Sequence, residues 1–432
     1  MTYFETEPSP TEEIPRAADY PAQRDDAILL DGPGFHTDPH RLYTRMRGEH
    51  GPVVAVELPG GIPAWLVIGY RELHQVTTDP DLFTRDRTLW NQWSKIPPDW
   101  QLLPMVGAPS PGIYHCGNIE HRRHVAMVDS ALESVDPFAL RAICEQLADR
   151  LVDGFCGRGQ ADVVAEFAEP LPVLVLSWIL GVSEDDGPRL ARTMKALADG
   201  GADALVAYQH FIDHMQQLLQ ERQAHPGDDL VSRMLAHPEP FSDEEYRLDL
   251  QAITAAGHLP TADWIGNSVR LMLTDERFAV ALGGARHSIG QAMNEVLWED
   301  TPTQILVGRW ASRDTRLGDK TIYAGDMVLL GLAGANADPH IRQHTGDGVE
   351  PTHSGNAAHF AFGHGEFRCP YPAQQIAEII ARTGIEVLLD RLPDLDLAVP
   401  ERELQRRPSP FLRGMTSLPV VFTPVPAVGG RP

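Results

Sequence analysis

The sequence F-G-H-G-E-F-R-C-P at residues 362–370 decides how the rest of the chain is interpreted. Gly363 and Gly365 let the backbone pass close to a flat group. Cys369 follows an arginine, and the apolar spacing after it predicts a helix that closes at Gly384. A neighbouring cation and a helix N-terminus both favour a cysteine thiolate. The stretch therefore predicts an exposed thiolate at the start of a helix, where it can bind a metal.

The alternative for a lone cysteine is a small buried apolar residue. Against it stands a resemblance to the haem-binding loop of the cytochrome P450 family, Phe-Gly-x-Gly-x-His/Arg-x-Cys. The matching positions are Phe362, Gly363, Gly365 and Cys369. Phe367 stands where the family has its basic residue, and Tyr371 stands where it has a glycine. The resemblance extends over nearly the whole chain and implies the triangular haem-thiolate fold, mainly α with small β sheets, with haem b bound through Cys369.

Composition excludes several function classes. The chain has 432 residues, 43% of them hydrophobic, and its 60 acidic against 36 basic residues give a net charge of −24. Such a surface repels nucleic acid and anionic membranes. No apolar run approaches the ~18 residues of a membrane span. The four cysteines form no Cys-x-x-Cys pair, and the spacing of His353, His359 and His364 fits no standard zinc site. We expect a protein of the reducing cytoplasm.

The domain organisation predicted from the sequence is simple. Residues 1–30 are acidic and proline-bearing, unlike a signal peptide, and are expected to be disordered. Residues 31–423 are expected to form a single cytochrome P450 domain, and residues 424–432 a loose tail. Within the domain, segments 52–58 and 64–68 predict a β-hairpin, and 136–250 predicts a largely helical region.

Residues 84–115 are rich in tryptophan, proline and glycine. A loop of this length in a compact domain is usually functional. In the family this region covers the substrate pocket. The alternative is a surface loop with packed tryptophans, and the sequence leaves both open.

Four residues match the family positions that bind the haem propionates. His121 and Arg123 open a predicted helix, whereas Arg309 and His359 lie in predicted strand and loop segments. Val125 stands where the family has a further arginine. The alternative for the helix is a solvated cationic face, which could also receive an acidic electron donor.

The longest helical pattern runs from residue 243 to 274, and we expect Pro260 to break and kink it. In the family this helix crosses the oxygen face of the haem with the motif Ala/Gly-Gly-x-acid-Thr-Thr. The chain reads A-G-H-L-P-T from Ala256 onward. Gly257 is kept, which allows close approach to a ligand, whereas Leu259 replaces the acid and Pro260 the first threonine.

This departure has a chemical consequence. In the family the acid and the alcohol deliver protons to dioxygen so that the O–O bond breaks heterolytically. Leucine and proline have no side-chain proton to give, and Pro260 frees the carbonyl of Ala256. We predict a water site beside Ala256 and a proton relay through Thr261 or His258, with impaired dioxygen activation as the alternative. Ala256, Gly257 and Thr261 are expected to line the oxygen face.

A second departure lies at Glu295, which matches the family motif Glu-x-x-Arg, because Trp298 replaces the arginine. In the family these residues bury with a second arginine from a later meander, and residues 342–356 offer no obvious equivalent. Losing both cations indicates a repacked network, since losing one partner of a buried ion pair alone costs about 3–5 kcal/mol. Such Trp-for-Arg sequences resemble an atypical bacterial branch of the family.

The resemblance implies a haem-thiolate monooxygenase acting on a small, apolar organic substrate. Electrons are expected from a ferredoxin and its reductase, because the chain has no strand-linked Gly-x-Gly-x-x-Gly nucleotide motif. Two alternatives stay open. One is a peroxide-driven peroxygenase, and the other is a haem-binding protein that regulates a partner with little turnover. The sequence does not name the substrate.

Overall fold

The structure of the protein is a computed structural model. It describes residues 27–32, 34–97, 100, 102–106, 110–199, 203–275, 278, 287–341 and 356–429. Most of the predicted disordered segment lies outside these residues, as do most of the meander positions at 342–356. Ile28–Leu29 form a strand that pairs in parallel with a neighbouring strand at Val56 and Glu57. The domain therefore begins earlier than the predicted boundary at residue 31.

The described part of the predicted tail is attached to the domain. The Val425 amide donates to the carbonyl of Cys156 at 3.0 Å. The amides of Val428 and Gly429 both donate to the Asp153 carboxylate at 2.9 Å. The prediction of a loose tail is wrong for residues 424–429, because these backbone bonds tie them to a helix end.

Helices make up most of the described chain. They are α1 (Gly34–Thr37), α2 (Pro39–His50), α3 (Tyr70–Thr78), α4 (Leu103–Val106), α5 (Asn118–Glu133), α6 (Pro137–Asp153), α7 (Pro170–Leu180), α8 (Gly187–Asp199), α9 (Ala204–Ala224), α10 (Leu230–Leu235), α11 (Asp243–Thr274), α12 (His287–Glu299), α13 (Leu332–Asn336) and α14 (Tyr371–Arg391). Short 3₁₀ turns at Arg87–Leu89, Trp93–Lys95 and Glu401–Glu403 and a π-turn at Val164–Ala168 complete them.

The strands are short. They are β1 (Ile28–Leu29), β2 (Val53–Leu58), β3 (Ile62–Val67), β4 (Phe83–Thr84), β5 (Gln160–Asp162), β6 (Ile305–Ala311), β7 (Thr315–Leu317), β8 (Lys320–Ile322), β9 (Met327–Gly331), β10 (Asp396–Leu397) and β11 (Pro419–Val421). The described strands form a six-stranded sheet in the order β1-β2-β3-β9-β6-β4, a three-stranded sheet β10-β11-β5 and the pair β7-β8.

The predicted hairpin is present as β2 and β3. It turns at Gly60 and Gly61, whose φ angles of 89° and 73° lie in the left-handed region that tight hairpin turns require. Register is antiparallel from Leu58–Ile62 to Val53–Val67. The turn glycines therefore set the register that begins the large sheet.

The central helix α11 begins at a capping box, in which Ser242 and Glu245 satisfy each other's backbone amides. It continues without interruption through Pro260 to Thr274, so the predicted break is wrong. Losing one backbone bond costs about 3 kcal/mol. α11 packs against α7, α9, α12 and α14, and this burial outweighs the loss.

The helix after the cysteine also runs further than the sequence predicted. α14 passes through Gly384, which lies against α7 because a Cβ there would be 2.4 Å from Leu171 Cδ2. The glycine therefore permits close helix packing and does not end the helix. No helix in the described ranges is long and apolar enough to cross a membrane.

The tryptophan-rich segment contributes to a core under the large sheet. Trp90 and Trp100 are buried, with ring centroids 6.0 Å apart, and Trp90 also lies 6.4 Å from the ring of Trp310 on β6. Trp93 packs edge-on against Trp90 at 5.0 Å. For these side chains the structure supports the packed-tryptophan alternative, since they bury one another.

Candidate functional site

The cysteine loop is held by its own backbone. Gly363 donates its amide to the Phe360 carbonyl at 2.7 Å, and Cys369 donates its amide to the Phe362 carbonyl at 2.8 Å. Gly363 and Gly365 have φ angles of 71° and 72°, which side chains rarely adopt. The two glycines therefore fold the loop back so that the cysteine sits at the start of α14.

The loop is seated on the end of α3. A Cβ on Gly365 would lie 1.9 Å from the Thr77 carbonyl oxygen, so only glycine fits there. His364 Nδ1 lies 3.1 Å from the Thr77 hydroxyl and anchors the same turn. These contacts fix the loop, and with it the position of Cys369, relative to the large sheet.

Cys369 is half-buried, and burial raises the pKa of its thiol to about 12, with the Asp129 carboxylate adding to the rise. The predicted help from Arg368 is missing, because its guanidinium stacks 4.0 Å over the Tyr371 ring. Without a bound cation, the protein groups around Cys369 therefore favour the thiol. A cation bound at the sulfur would supply the missing positive charge.

Two buried guanidinium groups converge on Phe367, two residues before the cysteine. Arg309 lies 4.4 Å from the Phe367 ring centroid and Arg85 lies 4.7 Å from it. Both arginines are less than 10% exposed. In the part of the chain that the structure describes, neither has a carboxylate partner, and Arg309 Nε has no hydrogen-bond partner at all. Burial and mutual repulsion hold the pKa of Arg309 well below its usual range.

Two histidines adjoin this cluster. The His121 ring lies 4.6 Å from the Phe367 ring, and burial followed by repulsion from Arg85 lowers its pKa to about 3. The His121 Nδ1 donates to the Ile113 carbonyl at 3.2 Å, and its Nε2 is buried without a hydrogen-bond partner in the described residues. His359 packs against Phe362 at 6.1 Å and against Trp298 at 5.8 Å, at the other end of the cysteine loop.

Arg123 does not join the cluster. Its guanidinium forms ion pairs with Glu120 and Glu245 and lies 4.1 Å over the Phe241 ring. Two residues along a helix correspond to a rotation of about 200°, so Arg123 lies on nearly the opposite side of α5 from His121. The predicted propionate contact of Arg123 is wrong for this reason.

An open face of α11 lies beside the cysteine loop. Ala255 and Ala256 are exposed in the middle of a helix whose later turns are buried. Pro260 is one turn after Ala256 and shares its face. One turn further, the Trp264 ring meets the Phe362 ring edge-on at 5.7 Å. Ala256, Pro260 and Trp264 therefore share one face of α11, and Trp264 connects this face to the cysteine loop.

The two predicted proton relays on α11, His258 and Thr261, are both buried. At about 100° per residue, His258 lies on the far side of the helix from Ala256, whereas Thr261 is about 100° from Pro260. His258 Nε2 lies 3.1 Å from the Glu169 carbonyl, and burial lowers the pKa of this imidazole to about 4. Gly257 also faces α7, since a Cβ there would lie 3.1 Å from Leu176. The position of His258 separates it from the open face, whereas the predicted roles of Gly257 and Thr261 stay predictions.

Trp298, which stands in place of the expected arginine, makes a hydrogen bond to the backbone instead of an ion pair. Its indole N–H donates to the carbonyl of Asn356 at 2.9 Å. Asn336 holds the neighbouring segment, because its amide donates to Leu297 and its side-chain oxygen accepts from the Phe360 amide. These bonds connect α12 to the chain that enters the cysteine loop.

The residues present fit a flat, dianionic, iron-containing cofactor. Two buried cations without carboxylate partners require anions of their own, and the propionates of haem b are two carboxylates. Cys369 lies two residues before α14, and the open face of α11 meets the same loop through the Trp264–Phe362 ring contact. No cluster of three metal-binding side chains occurs in the described ranges, and His353 of the zinc alternative lies outside them.

Comparison with known proteins gives a consistent result, although no protein-family model matches the chain. Cytochrome P450 107B1 of Saccharopolyspora erythraea is 30% identical over 402 residues, which cover 91% of this chain and 97% of that protein. Vitamin D(3) 25-hydroxylase of Pseudonocardia autotrophica is 30% identical over 396 residues, covering 90% and 95%. The testosterone-bound CYP154C4 structure from Streptomyces superposes with a TM-score of 0.81 at 29% identity, covering 92% and 98%.

Proposed function

Because this chain belongs to the cytochrome P450 family, we propose that it is a haem-thiolate monooxygenase in which Cys369 binds the iron of haem b. The observation that supports this assignment is Cys369 at the end of the folded glycine loop, just before α14. Haem b supplies the redox chemistry and dioxygen activation when bound, with a thiolate that donates electron density to the iron.

We propose that Arg309, His121 and His359 hold the propionates. Arg309 brings a buried positive charge that lacks a carboxylate partner in the described residues. His121 has a buried ring nitrogen, Nε2, without a partner in the described residues, and its ring lies 4.6 Å from that of Phe367. Charge-assisted hydrogen bonds between a guanidinium and a carboxylate are about twice as strong as neutral ones, so Arg309 is expected to contribute most.

Electrons reach a P450 monooxygenase of this kind from a separate redox partner, and we propose a ferredoxin with its reductase. The chain as a whole is acidic, with a net charge of −24. Beside the cysteine loop, however, Arg122 and Arg368 are both exposed. These local cations favour docking of an acidic carrier at the shortest distance from Cys369.

The substrate we propose is small and largely apolar. The open face of α11 presents Ala256 and Pro260, neither of which has a polar side chain. Two of the three relatives named above are a vitamin D(3) hydroxylase and a testosterone-bound protein, which are consistent with an apolar substrate of fused-ring type. Burial of apolar surface then provides most of the binding free energy.

We further propose an altered proton path. Leu259 and Pro260 offer no proton, and His258 is buried with its Nε2 3.1 Å from the Glu169 carbonyl. Because Pro260 has no N–H, the Ala256 carbonyl has no helical donor and can accept a hydrogen bond from a water on the open face. That water would bring the proton.

The test compares two sources of oxidant with one panel of apolar ring compounds. Ferredoxin, reductase, NADPH and dioxygen are expected to yield hydroxylated product, and peroxide alone is expected to yield less of that product.

A Pro260→Thr variant restores a hydroxyl on the open face and should raise the product formed per NADPH. Thr261→Ala, which removes a hydroxyl from the buried face, is the matched control and should leave that ratio unchanged.

A second candidate, a peroxide-driven peroxygenase, is favoured by the apolar side chains of Leu259 and Pro260, since peroxide brings its own protons and both oxygen atoms. Product from peroxide, with none from the ferredoxin system, would establish it and overturn the monooxygenase proposal. A loss of coupling in Thr261→Ala, with no gain in Pro260→Thr, would overturn the proposed proton path.

A further inference from the structure

The cysteine loop lacks a positive charge at one position. Phe367 lies two residues before Cys369, where the P450 loop has a histidine or arginine, and its side chain is buried. Phenylalanine cannot neutralise a carboxylate. If the haem site is as proposed above, the charge that balances the second propionate has to come from another part of the chain.

Arg85 brings a guanidinium to this position from 282 residues away. Its Nη2 donates to the carbonyl of Phe367 at 3.3 Å, and its guanidinium carbon lies 4.7 Å from the ring of the same residue. The carbonyl uses only part of the five-donor guanidinium. Arg85 is therefore attached to the residue that replaced the basic side chain, with donors left for a ligand.

The sheet register explains why Arg85 reaches this point. β4 pairs antiparallel with β6 through Phe83–Ala311 and Thr84–Trp310. Continuing this register by one residue places Arg85 opposite Arg309. Like charges directly across a strand pair are destabilising. The fold thus holds two buried arginines side by side, an arrangement that an anion between them would stabilise.

The charges balance when both propionates are present. Arg85 and Arg309 carry two positive charges, and neither has a carboxylate partner in the described ranges. Arg87, the next buried arginine, is directed differently, because its guanidinium carbon lies 5.5 Å from the Trp310 ring. Two carboxylates of one haem b would therefore neutralise the pair at Phe367.

We propose that Arg85 is a propionate-binding residue that replaces, from the end of β4, the cation missing at position 367 of the cysteine loop. The geometry that carries this is the convergence of Arg85 and Arg309 on Phe367, both buried and both without a carboxylate partner in the described ranges. The inference rests on the haem site proposed above.

The experiment measures how fast the holoprotein loses haem to an excess of a haem-free globin, followed by absorbance. Arg85→Ser is expected to lose haem b about 10- to 100-fold faster than the unsubstituted protein, as for a lost hydrogen bond to a charged group. The same proteins loaded with haem dimethyl ester, which has no carboxylate, should release it at rates within about threefold of each other. Only a contact with the propionate produces this difference.

The matched control is Arg122→Ser. Arg122 also contacts the cysteine loop, through Glu366 at 3.1 Å, but it is exposed and already paired. Its loss should change haem release by less than about twofold. Arg85→Lys keeps the charge, and its rate of haem release is expected to lie between those of Arg85→Ser and the unsubstituted protein. This variant replaces Arg85→Ser in the test if the serine variant does not fold.

Moving the charge gives the second half of the test. In the double variant Arg85→Ser/Phe367→Arg the cation returns to the loop, and haem retention should recover to within about threefold of the unsubstituted protein. Equal acceleration for haem b and its dimethyl ester would show a purely structural role and overturn the proposal. So would unchanged haem release in both Arg85→Ser and Arg85→Lys. A thiolate spectrum in the unsubstituted protein would leave the haem assignment intact in either case.

Discussion

Replacing Gly365 with alanine tests whether the cysteine loop is positioned by its contact with α3. A Cβ at this position would lie 1.9 Å from the Thr77 carbonyl oxygen and 2.9 Å from its carbon. Real contacts of this kind are not shorter than 3.0 Å, so the loop has to move by about 1.1 Å. Both partners are backbone atoms, which cannot rotate aside as a flexible side chain can.

The chain provides a matched control at Gly363. Its φ of 71° is nearly that of Gly365. The left-handed backbone conformation therefore costs an alanine about 1–2 kcal/mol of folding free energy at either position. The nearest atom to a Cβ on Gly363, however, is Arg368 Cα at 3.4 Å, an ordinary contact. The difference between the two variants therefore isolates the clash with Thr77.

We expect Gly363→Ala to lower the free energy of unfolding by about 1–2 kcal/mol. Gly365→Ala should lower it by roughly 2–5 kcal/mol, because overpacking adds about 1–3 kcal/mol. Urea unfolding of the holoprotein, followed by tryptophan fluorescence, gives both values. The thiolate-ligated fraction, measured by the carbon monoxide spectrum, should fall several-fold in Gly365→Ala only.

Equal destabilisation of the two variants would refute the reasoning, since it would mean that the loop is free to move away from α3. An unchanged thiolate fraction in Gly365→Ala would refute the second step, that this contact sets the position of Cys369.

Three further predictions concern buried polar groups. Burial raises the pKa of Asp263 to about 7, so the folded protein holds its proton more tightly than the unfolded chain between pH 4 and 7. The stability of the unsubstituted protein relative to Asp263→Asn should therefore fall as pH rises through this window, by at most about 1.4 kcal/mol per pH unit, as urea unfolding at several pH values would measure. Asp300→Asn should cost about 3–5 kcal/mol, because the carboxylate is bound by three arginines at 2.6 Å, and the same unfolding assay at pH 7 would measure it. Trp298→Phe should cost about 1 kcal/mol by losing the indole hydrogen bond to Asn356, with haem retained, as unfolding and the haem-to-protein ratio would show.

Each of these has a clear contrary result. A stability difference for Asp263→Asn that is flat with pH would show that the carboxyl is not held protonated by burial. A neutral Asp300→Asn would show that the three arginines find other partners. Haem loss in Trp298→Phe would assign the indole to the cofactor site and not to the attachment of α12.

The parts of the fold that depend on local sequence could be predicted. The glycines of the β2–β3 turn need left-handed angles, and this requirement is visible in the residues themselves. The cysteine loop was found in the same way, because Gly363 and Gly365 stand at fixed spacings from Cys369. Such motifs are properties of a few neighbouring residues, so a single sequence contains them.

The errors came from contacts distant in sequence. Gly384 does not stop α14 because Leu171, more than 200 residues earlier, packs on it, and the glycine allows this close approach inside the helix. Pro260 does not break α11 because α7, α9, α12 and α14 pack against the helix. Local propensity predicts a stop at each residue, and tertiary packing overrides it.

The candidate site was predicted in part for the same reason. Arg309 and His121 lie beside the cysteine loop as their positions indicated. The predicted propionate contact of Arg123 is wrong because Arg123 lies two residues after His121 and therefore on nearly the opposite side of α5. Arg85 was missed entirely, since only the β4–β6 register brings it to Phe367. The one available signal was the missing basic residue at position 367, which implied a compensating cation elsewhere.

The account depends most directly on the bond between Cys369 and the iron. The measurement is the absorption spectrum of the reduced, carbon monoxide-bound protein, with Cys369→Ser alongside it. The account predicts the long-wavelength Soret band of a thiolate-ligated haem in the unsubstituted protein and its loss in the serine variant. A colourless protein, or identical bands in both proteins, would contradict it.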